Sequence, residues 1–463
     1  MIKVLAREVP AGARLPARLA VPLALAVAVA TSVLLAGAVG AVAWVGLLAV
    51  LAVVGSTGRP RAITAVALLY SATFGAIAAI PALAAIPLGG TIVSGTSLGT
   101  TLILVVAVLT LLVRADHQLV SGFRAFAPFW ALALLQASGV LYSPTPIDGA
   151  KQTVLIAVPF VMAAVAHDAA RSDPETQRAV QRYVLASARV LLVFLAVLAS
   201  TGALGMTEIG LGSSIGARSI AFYSLPVLSV SLAMWRHGDD AREKSRGKWY
   251  SLVLLTVVVA TLSRTATAIA LGLLLPLRFI GAGWRRGVLA VAAGLVLFVS
   301  VVLLIAPLSR RFFLERPGSL REVALAEGFS TMGRGTMWAI TWTGALERPV
   351  FGHGAGAARL LMQTTVEQDH PHNDYLKIFY DSGVFGVAAL ILGCVTAIAR
   401  HGRYWKRADQ RGEQESAKYH MTAFLAAISL TGSLLTDNVL VYTFVTIPTF
   451  VLMGLSVARA TEA

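Results

Sequence analysis

Apolar runs of about 15 to 22 residues recur along this chain, separated by short polar stretches that hold most of the charge. An α-helix needs roughly 20 residues to cross a hydrocarbon layer of about 30 Å, so each run is a candidate span. In lipid every backbone N–H and C=O must be paired internally, which leaves helices or closed barrels. Barrel strands alternate polar and apolar side chains over about ten residues. These runs do not alternate, so they read as helices. Composition agrees, since 57% of the 463 residues are hydrophobic and 13% charged. Mean hydropathy is +0.76; a soluble domain of this size needs more charge to cover its surface.

Taken in order, the runs fall near 19–36, 40–57, 62–80, 98–113, 125–141, 152–167, 189–203, 219–235, 249–263, 266–280, 287–306, 376–399, 419–435 and 441–458. They predict an all-α polytopic membrane protein, a bundle of about 14 (12–14) transmembrane helices. The first run follows Lys3, Arg7, Arg14 and Arg18, and a second run begins at once. It reads as an uncleaved first helix rather than a secretory signal. The single cysteine, Cys394, lies inside an apolar run, which excludes an intrachain disulfide or a thiolate redox pair. The net charge of +15 is scattered through short loops rather than gathered in one domain, so nucleic acid is not expected as a partner.

Charge also sets orientation, because Lys and Arg are enriched in cytoplasmic loops. With the N-terminus inside and the runs alternating, 27 of the 38 Lys and Arg fall inside. Acidic residues divide almost evenly, so the inside carries the whole net charge. The chain is therefore expected to sit in a bacterial cytoplasmic (inner) membrane with both ends in the cytoplasm. Most outer loops are short, but 307–375 is a long polar segment, too small and too poor in aliphatic residues for a core of its own. Long loops within compact bundles are uncommon and usually functional. This one is expected to lie against the outer face as short helices, one near 335–347 with Trp338, Trp342 and Ala345 on one side. Packing, or an aromatic anchor at the membrane interface, is the plainer account of that stripe.

Within this loop Gly352, Gly354 and Gly356 alternate with other residues, and no strand precedes them. They read as a tight turn with close backbone approach, not a nucleotide site. The loop ends in His370-Pro371-His372-Asn373-Asp374-Tyr375 and runs into the next span. Asn373 or Asp374 can cap that helix, and His372 then stands beside a helix N-terminus, which favours anions. Arg264, in Ser263-Arg264-Thr265, is squeezed between two short spans. A guanidinium there either snorkels to headgroups or pairs with an anion. Arg334, in Gly333-Arg334-Gly335, is either a solvated loop charge or part of the same outer site. Guanidinium forks suit a diphosphate, and a histidine suits proton abstraction from a hydroxyl. Together they fit glycosyl transfer from a lipid-linked diphosphate sugar.

On Ser263-Arg264, Gly333-Arg334-x-x-x-Trp338, Pro349-x-x-Gly352-x-Gly354, His372-Asn373-Asp374-Tyr375-Leu376 and Gly383-Val384-Phe385-Gly386, the chain resembles the O-antigen ligase and polymerase family of bacterial envelope enzymes. That family resembles C-type membrane glycosyltransferases in architecture. The resemblance implies a catalytic His372, diphosphate-binding Arg264 and Arg334, and no metal or other cofactor. It also implies an undecaprenyl-diphosphate-linked glycan as donor, a glycan or lipid-linked acceptor, and an active site on the extracytoplasmic side. Trp338 and Asn373 join the expected substrate-binding set from the matching motifs, and Arg218 joins it from outside them. Three regions follow: N-terminal transmembrane helices (1–248), an O-antigen ligase-like catalytic region (249–399) and C-terminal transmembrane helices (400–463). Ligase and polymerase share a donor and are not told apart by these residues. A polysaccharide or lipid-linked oligosaccharide flippase is the competing class, but a transporter keeps its ionisable groups near mid-membrane. The topology is checked by reporter fusions at Gly318 and at the C-terminus: Gly318 reports outside and the C-terminus inside, and a cytoplasmic Gly318 contradicts both the topology and the enzyme reading.

Overall fold

The computed structural model describes residues 55–78, 86–88, 91–114, 119–173, 175–200, 205–207, 210–212, 217–276 and 334–462, with isolated positions between 289 and 304. The expected span near 19–36, nearly all of 40–57, most of 287–306 and residues 307–333 of the long loop lie outside them. The described helices are α1 (Pro60–Ala78), α2 (Gly95–Val113), α3 (Leu119–Ala125), α4 (Ala127–Gly139), α5 (Pro146–Ser172), α6 (Glu175–Ser200) and α7 (Ala217–His237). They continue as α8 (Ala241–Ala260), α9 (Arg264–Gly272), α10 (Arg334–Glu347), α11 (Ala357–Val366), α12 (Asp374–Gln410), α13 (Gln414–Ser433) and α14 (Thr443–Glu462). The all-α expectation needs one amendment. Two antiparallel ribbons of three-residue strands interrupt the helices, β1 (Ile86–Leu88) with β2 (Thr91–Val93) and β3 (Gly205–Thr207) with β4 (Gly210–Gly212).

Among the described residues, α2, α5, α12 and the Thr443–Ala460 stretch of α14 are long and apolar enough to cross a membrane. Others expected as spans fall short for a local reason. The α8 helix opens on the charged run AREKSRGK, and α9 is only nine residues long.

Small residues let these helices approach closely, as they do in membrane bundles generally. A Cβ on Gly454 of α14 would lie 2.3 Å from Ala163 O of α5, and one on Gly247 of α8 would meet Trp235 N of α7 at 2.4 Å. Where backbones stand further apart, Phe129, Phe160 and Phe450 fill the space, with Phe129 and Phe450 edge-to-face at 4.9 Å.

One face of the bundle is tied together by ion pairs. Arg61 meets Asp173, Arg114 meets Asp168, Arg178 meets Glu415, and Lys418 meets both Asp239 and Glu243. These residues come from five of the segments grouped by charge in the sequence, so the structure brings to one face what the basic partition assigned to one side.

The opposite face centres on α12. Its Gly383 has φ +64° and ψ −161°, which breaks the helix and frees backbone groups on both sides of the kink. The 349–354 turn takes them up: Val384 N donates to Pro349 O, His353 N to Tyr380 O and Gly354 N to Asp381 O. This is the close approach for which the glycine string was read. A Cβ on Gly383 would stand 2.2 Å from Val350 O. Gly383→Ala therefore suffers both backbone strain and a clash and should cost more than about 3 kcal/mol. Gly412→Ala, also at positive φ but with nothing within 4 Å, should cost about 1 kcal/mol. Thermal unfolding of the two variants in detergent checks the difference; equal losses would mean the kink carries no packing role.

Candidate functional site

The loop into α12 is held at both ends. Arg359 of α11 bridges Asp148 at the start of α5 (3.1 Å) and Asp369 (3.1 Å), and Gln363 Nε2 also donates to Asp369. Asn373 caps α12 by accepting from Leu376 N at 3.1 Å, as its motif suggested. Asp374 does different work. Its N–H donates to Leu434 O, and its Oδ2 accepts from Leu440 N (2.9 Å) in the turn between α13 and α14. The start of α12 is thus sewn to the far end of α13.

That turn supplies the partners of His372. The His372 Nδ1 lies 3.3 Å from Asp437 Oδ1 and 3.3 Å from Asn438 Nδ2. A carboxylate can only accept, so the first contact needs the proton on Nδ1, whereas the second needs it on Nε2. The charge-assisted bond is the stronger, which leaves the Nε2 lone pair available on a ring one-fifth exposed. Asp437 is buried and firmly set, because Oδ1 also accepts from Asn438 N at 2.9 Å and Tyr442 Oη at 3.0 Å.

Arg264 reaches the same turn from another direction. It opens α9, and the neighbouring Thr265 hydroxyl contacts the Thr436 hydroxyl, beside Asp437. One turn on, a Cβ at Gly432 would meet Ile269 at 3.2 Å, so α9 runs antiparallel to α13. Arg264 is half-buried at the end nearest the turn. Arg334 opens α10, which lies along α12. The contacts advance in the same direction along both: Trp342 with Phe379 (5.5 Å), Gly344 with Tyr380, and Pro349 with Val384. The N-termini of α9, α10 and α12 consequently open to the same side, with Arg264, Arg334 and His372 at or just before them. Three helix N-termini add partial positive charge to the two guanidinium groups. Backbone strain marks the same places. Leu262 and His372 are two of the three non-glycine residues with positive φ among the described residues, and each directly precedes the cap residue of its helix, Ser263 of α9 and Asn373 of α12.

Other expected residues stand less clearly. Trp338 is half-buried, and its buried Nε1 has no hydrogen-bond partner among the described residues. The expected stripe of Trp338, Trp342 and Ala345 is displaced: the buried face of α10 is Met337, Thr341, Gly344 and Ala345, while Trp342 remains half exposed over Phe379. Arg218 lies in the first turn of α7. His353 is structural, stacked on Tyr380 at 4.3 Å with Nε2 2.9 Å from Gly344 O.

Five residues were not singled out from sequence. Asp437 and Asn438 immediately follow the thirteenth apolar run, a polar pair at the outer end that read as ordinary loop. Lys377 and Asp381 form a buried ion pair at 2.8 Å, with side-chain exposures of 1% and 0%, one turn apart in α12. Their four-residue spacing was visible, but their burial was not. Asp381 Oδ1 also accepts from Ala358 N, so the pair anchors α11 as well. His370, which the sequence left as a loop residue, is largely buried, and its Nδ1 has no partner among the described residues.

The arrangement is that of a helix bundle in which, among the described residues, four helices are long and apolar enough to cross a membrane and Arg264, Arg334 and His372 stand at or just before N-termini that open to one side. A family model described as O-antigen ligase matches residues 249–391, which run from α8 through α12 and include Arg264, Arg334 and His372; the match supports assigning the chain to the O-antigen ligase family. That family indicates glycan transfer in envelope polysaccharide biosynthesis at a bacterial inner membrane, on a lipid-linked glycan substrate. No curated protein matches the chain.

Burial, with the Lys377 charge adding to it, lowers the His370 pKa to about 4. An unfolded histidine protonates near 6.5, so as pH falls from about 6.5 to about 4 the unfolded chain takes up a proton that the folded chain refuses. Stability from this group is complete above that window and lost through it. His370→Phe should flatten the fall in melting temperature between pH 6.5 and 4.5; an unchanged slope would mean that the ring is hydrated.

Proposed function

We propose that the protein transfers a glycan from an undecaprenyl-diphosphate carrier to an acceptor hydroxyl at the outer face of the cytoplasmic membrane, within a bundle of about 14 spans. The observation that supports this reading is that Arg264, Arg334 and His372 stand at or just before three helix N-termini that open to the same side, with the 436–438 turn touching Thr265 and His372. No one of the three is persuasive alone; an interfacial arginine and a loop histidine are ordinary features. Their convergence at three helix N-termini makes a site for a multiply charged anion.

In the proposed step the acceptor oxygen attacks the anomeric carbon of the donor. Its proton passes to His372 Nε2, and the bond from that carbon to the diphosphate oxygen breaks. The departing diphosphate keeps the electron pair. Arg264 and Arg334 stabilise the charge that develops on it, two oxygens to a guanidinium. Asp437 holds Nδ1–H, orients the ring and stabilises the imidazolium that forms. Asn373 sets the helix start behind the histidine, and Trp338, in the first turns of α10, adds an aromatic contact to the substrate. Arg218 is a weaker candidate for a further donor contact. The chemistry asks for no metal or other cofactor.

Release of undecaprenyl diphosphate from a lipid-linked oligosaccharide by the purified protein tests the proposal. Arg264→Lys and Arg334→Lys keep the charge but lose the fork, and each should lower turnover by about 10²–10³. His372→Ala should lower it by about 10²–10⁴. A histidine base loses rate as acid protonates the ring, whereas an imidazolium that merely binds phosphate loses it as pH rises. Wild-type activity falling towards pH 5.5, with that dependence reduced in Asp437→Asn, supports the base. Near-normal turnover in both lysine variants would return the arginines to a role as interfacial anchors.

A further inference from the structure

On the opposite face of the bundle, α6 and α8 both pack on α7 and leave a groove between them of about 460 Å³. It is lined by Leu192 of α6 and by Arg242, Ser245, Arg246, Trp249, Tyr250 and Val253 of α8. On α8 these positions form one helical stripe, while Gly247, Ser251, Leu254 and Val258 form the buried face. Both helices change character at the same level. The α8 sequence is charged through Lys248 and apolar from Leu252, and α6 is polar through Arg189 and apolar from Val190. The level is fixed by contact, since Arg189 Nε donates to Tyr250 Oη at 2.6 Å and the guanidinium lies 5.8 Å from the ring centre. The groove crosses this boundary. Its cationic half holds Arg242 and Arg246, and its apolar half holds Leu192 and Val253. Trp249, 64% exposed, stands between them, where a membrane interface favours an indole.

The carboxylates of this helix turn are engaged elsewhere. Lys418 takes Glu243 together with Asp239 on the side of α13. Arg242 and Arg246 are exposed and have no ion-pair partner among the described residues. A groove with two such guanidinium groups at headgroup depth and an apolar slot directly beneath is complementary to a molecule that is anionic at one end and a hydrocarbon chain at the other.

We infer that the α6–α8 groove is a binding site for an anionic glycerophospholipid, its phosphate on Arg242 and Arg246 and an acyl chain along Leu192 and Val253. The lipid bridges two helices that, among the described residues, meet at the Arg189–Tyr250 contact. This site lies on the ion-paired face, away from Arg264, Arg334 and His372, and does not depend on the proposed reaction.

Purified full-length protein in neutral detergent is titrated with phosphatidylglycerol, and with phosphatidylcholine of the same chains, and bound lipid is counted by native mass spectrometry. Phosphatidylglycerol should be retained in preference to phosphatidylcholine. The double change Arg242→Gln with Arg246→Gln should weaken phosphatidylglycerol by about 10- to 30-fold, as expected for removing two interfacial cations. A control pair on the same face, Arg403→Gln with Arg411→Gln, should leave its retention unchanged. Trp249→Ala should weaken both lipids, because it removes a wall rather than a charge. The inference is overturned if the double change has no effect, if the control pair weakens binding equally, or if millimolar inorganic phosphate displaces the lipid completely, which would mean that the chain contributes nothing.

Discussion

The backbone N–H of Asp374 donates to Leu434 O, and the Asp374 carboxylate takes back the N–H of Leu440. This reciprocal pair joins the first residue of α12 to both sides of the turn between α13 and α14. In a bundle surrounded by lipid, a non-helical turn is tolerated only where its backbone groups find partners within the protein. Asp374 supplies one donor and one acceptor to that need, while fully buried itself. Next to this seam Asp437 meets His372, and Thr436 meets Thr265 next to Arg264. The candidate site is therefore a consequence of how one helix start is sealed against one turn.

A second constraint acts from the side. The Gly383 kink exposes backbone groups of α12, and the turn that pairs with them carries α10 and α11 into place. Lys377 and Asp381, buried together within that first segment, resist separation, because taking either away would leave a charge without its partner in an apolar setting. This end of the bundle is thus built rigidly from a short helical segment, two glycine-dependent turns and one ion pair. Rigidity of this kind suits a site that must hold a leaving group and a nucleophile in register.

Much of this was legible in the sequence, and for physical reasons. Hydrophobic run length located the long helices, because a span has to match a membrane's thickness. The basic partition grouped Arg61, Arg114, Arg178 and Lys418 on one side, and these residues lie in ion pairs on one face. The glycine string announced close backbone approach, and Asn373 capped its helix as its residue type suggests. What stayed hidden was pairing across distance. The partner of His372 lies 65 residues away, and nothing local in Thr436-Asp437-Asn438 separates a hydrogen-bond partner of His372 from an ordinary turn. Burial was hidden too. His370 and Lys377 look like exposed residues near a loop until the neighbouring helices close over them. The Trp stripe was displaced because a short helix lying on a bundle buries the residues that fit its neighbour, here Gly344 and Ala345 against α12, and leaves Trp342 at the edge.

The two ends of the molecule divide the electrostatics. The ion-paired face is rich in arginine, and Asp168, Asp173, Asp239, Glu243 and Glu415 are held there in ion pairs. The other end sets Arg264 and Arg334 at helix N-termini that open to the same side as the one His372 precedes. The central claim is that these three residues surround a single diphosphate. It is tested most directly by an electron cryomicroscopy structure of the protein in a lipid nanodisc with undecaprenyl diphosphate bound. The account predicts diphosphate density between the N-termini of α9, α10 and α12, within hydrogen-bonding distance of Arg264 and Arg334 and beside His372. Density elsewhere, with the two guanidinium groups turned to lipid headgroups, would contradict it.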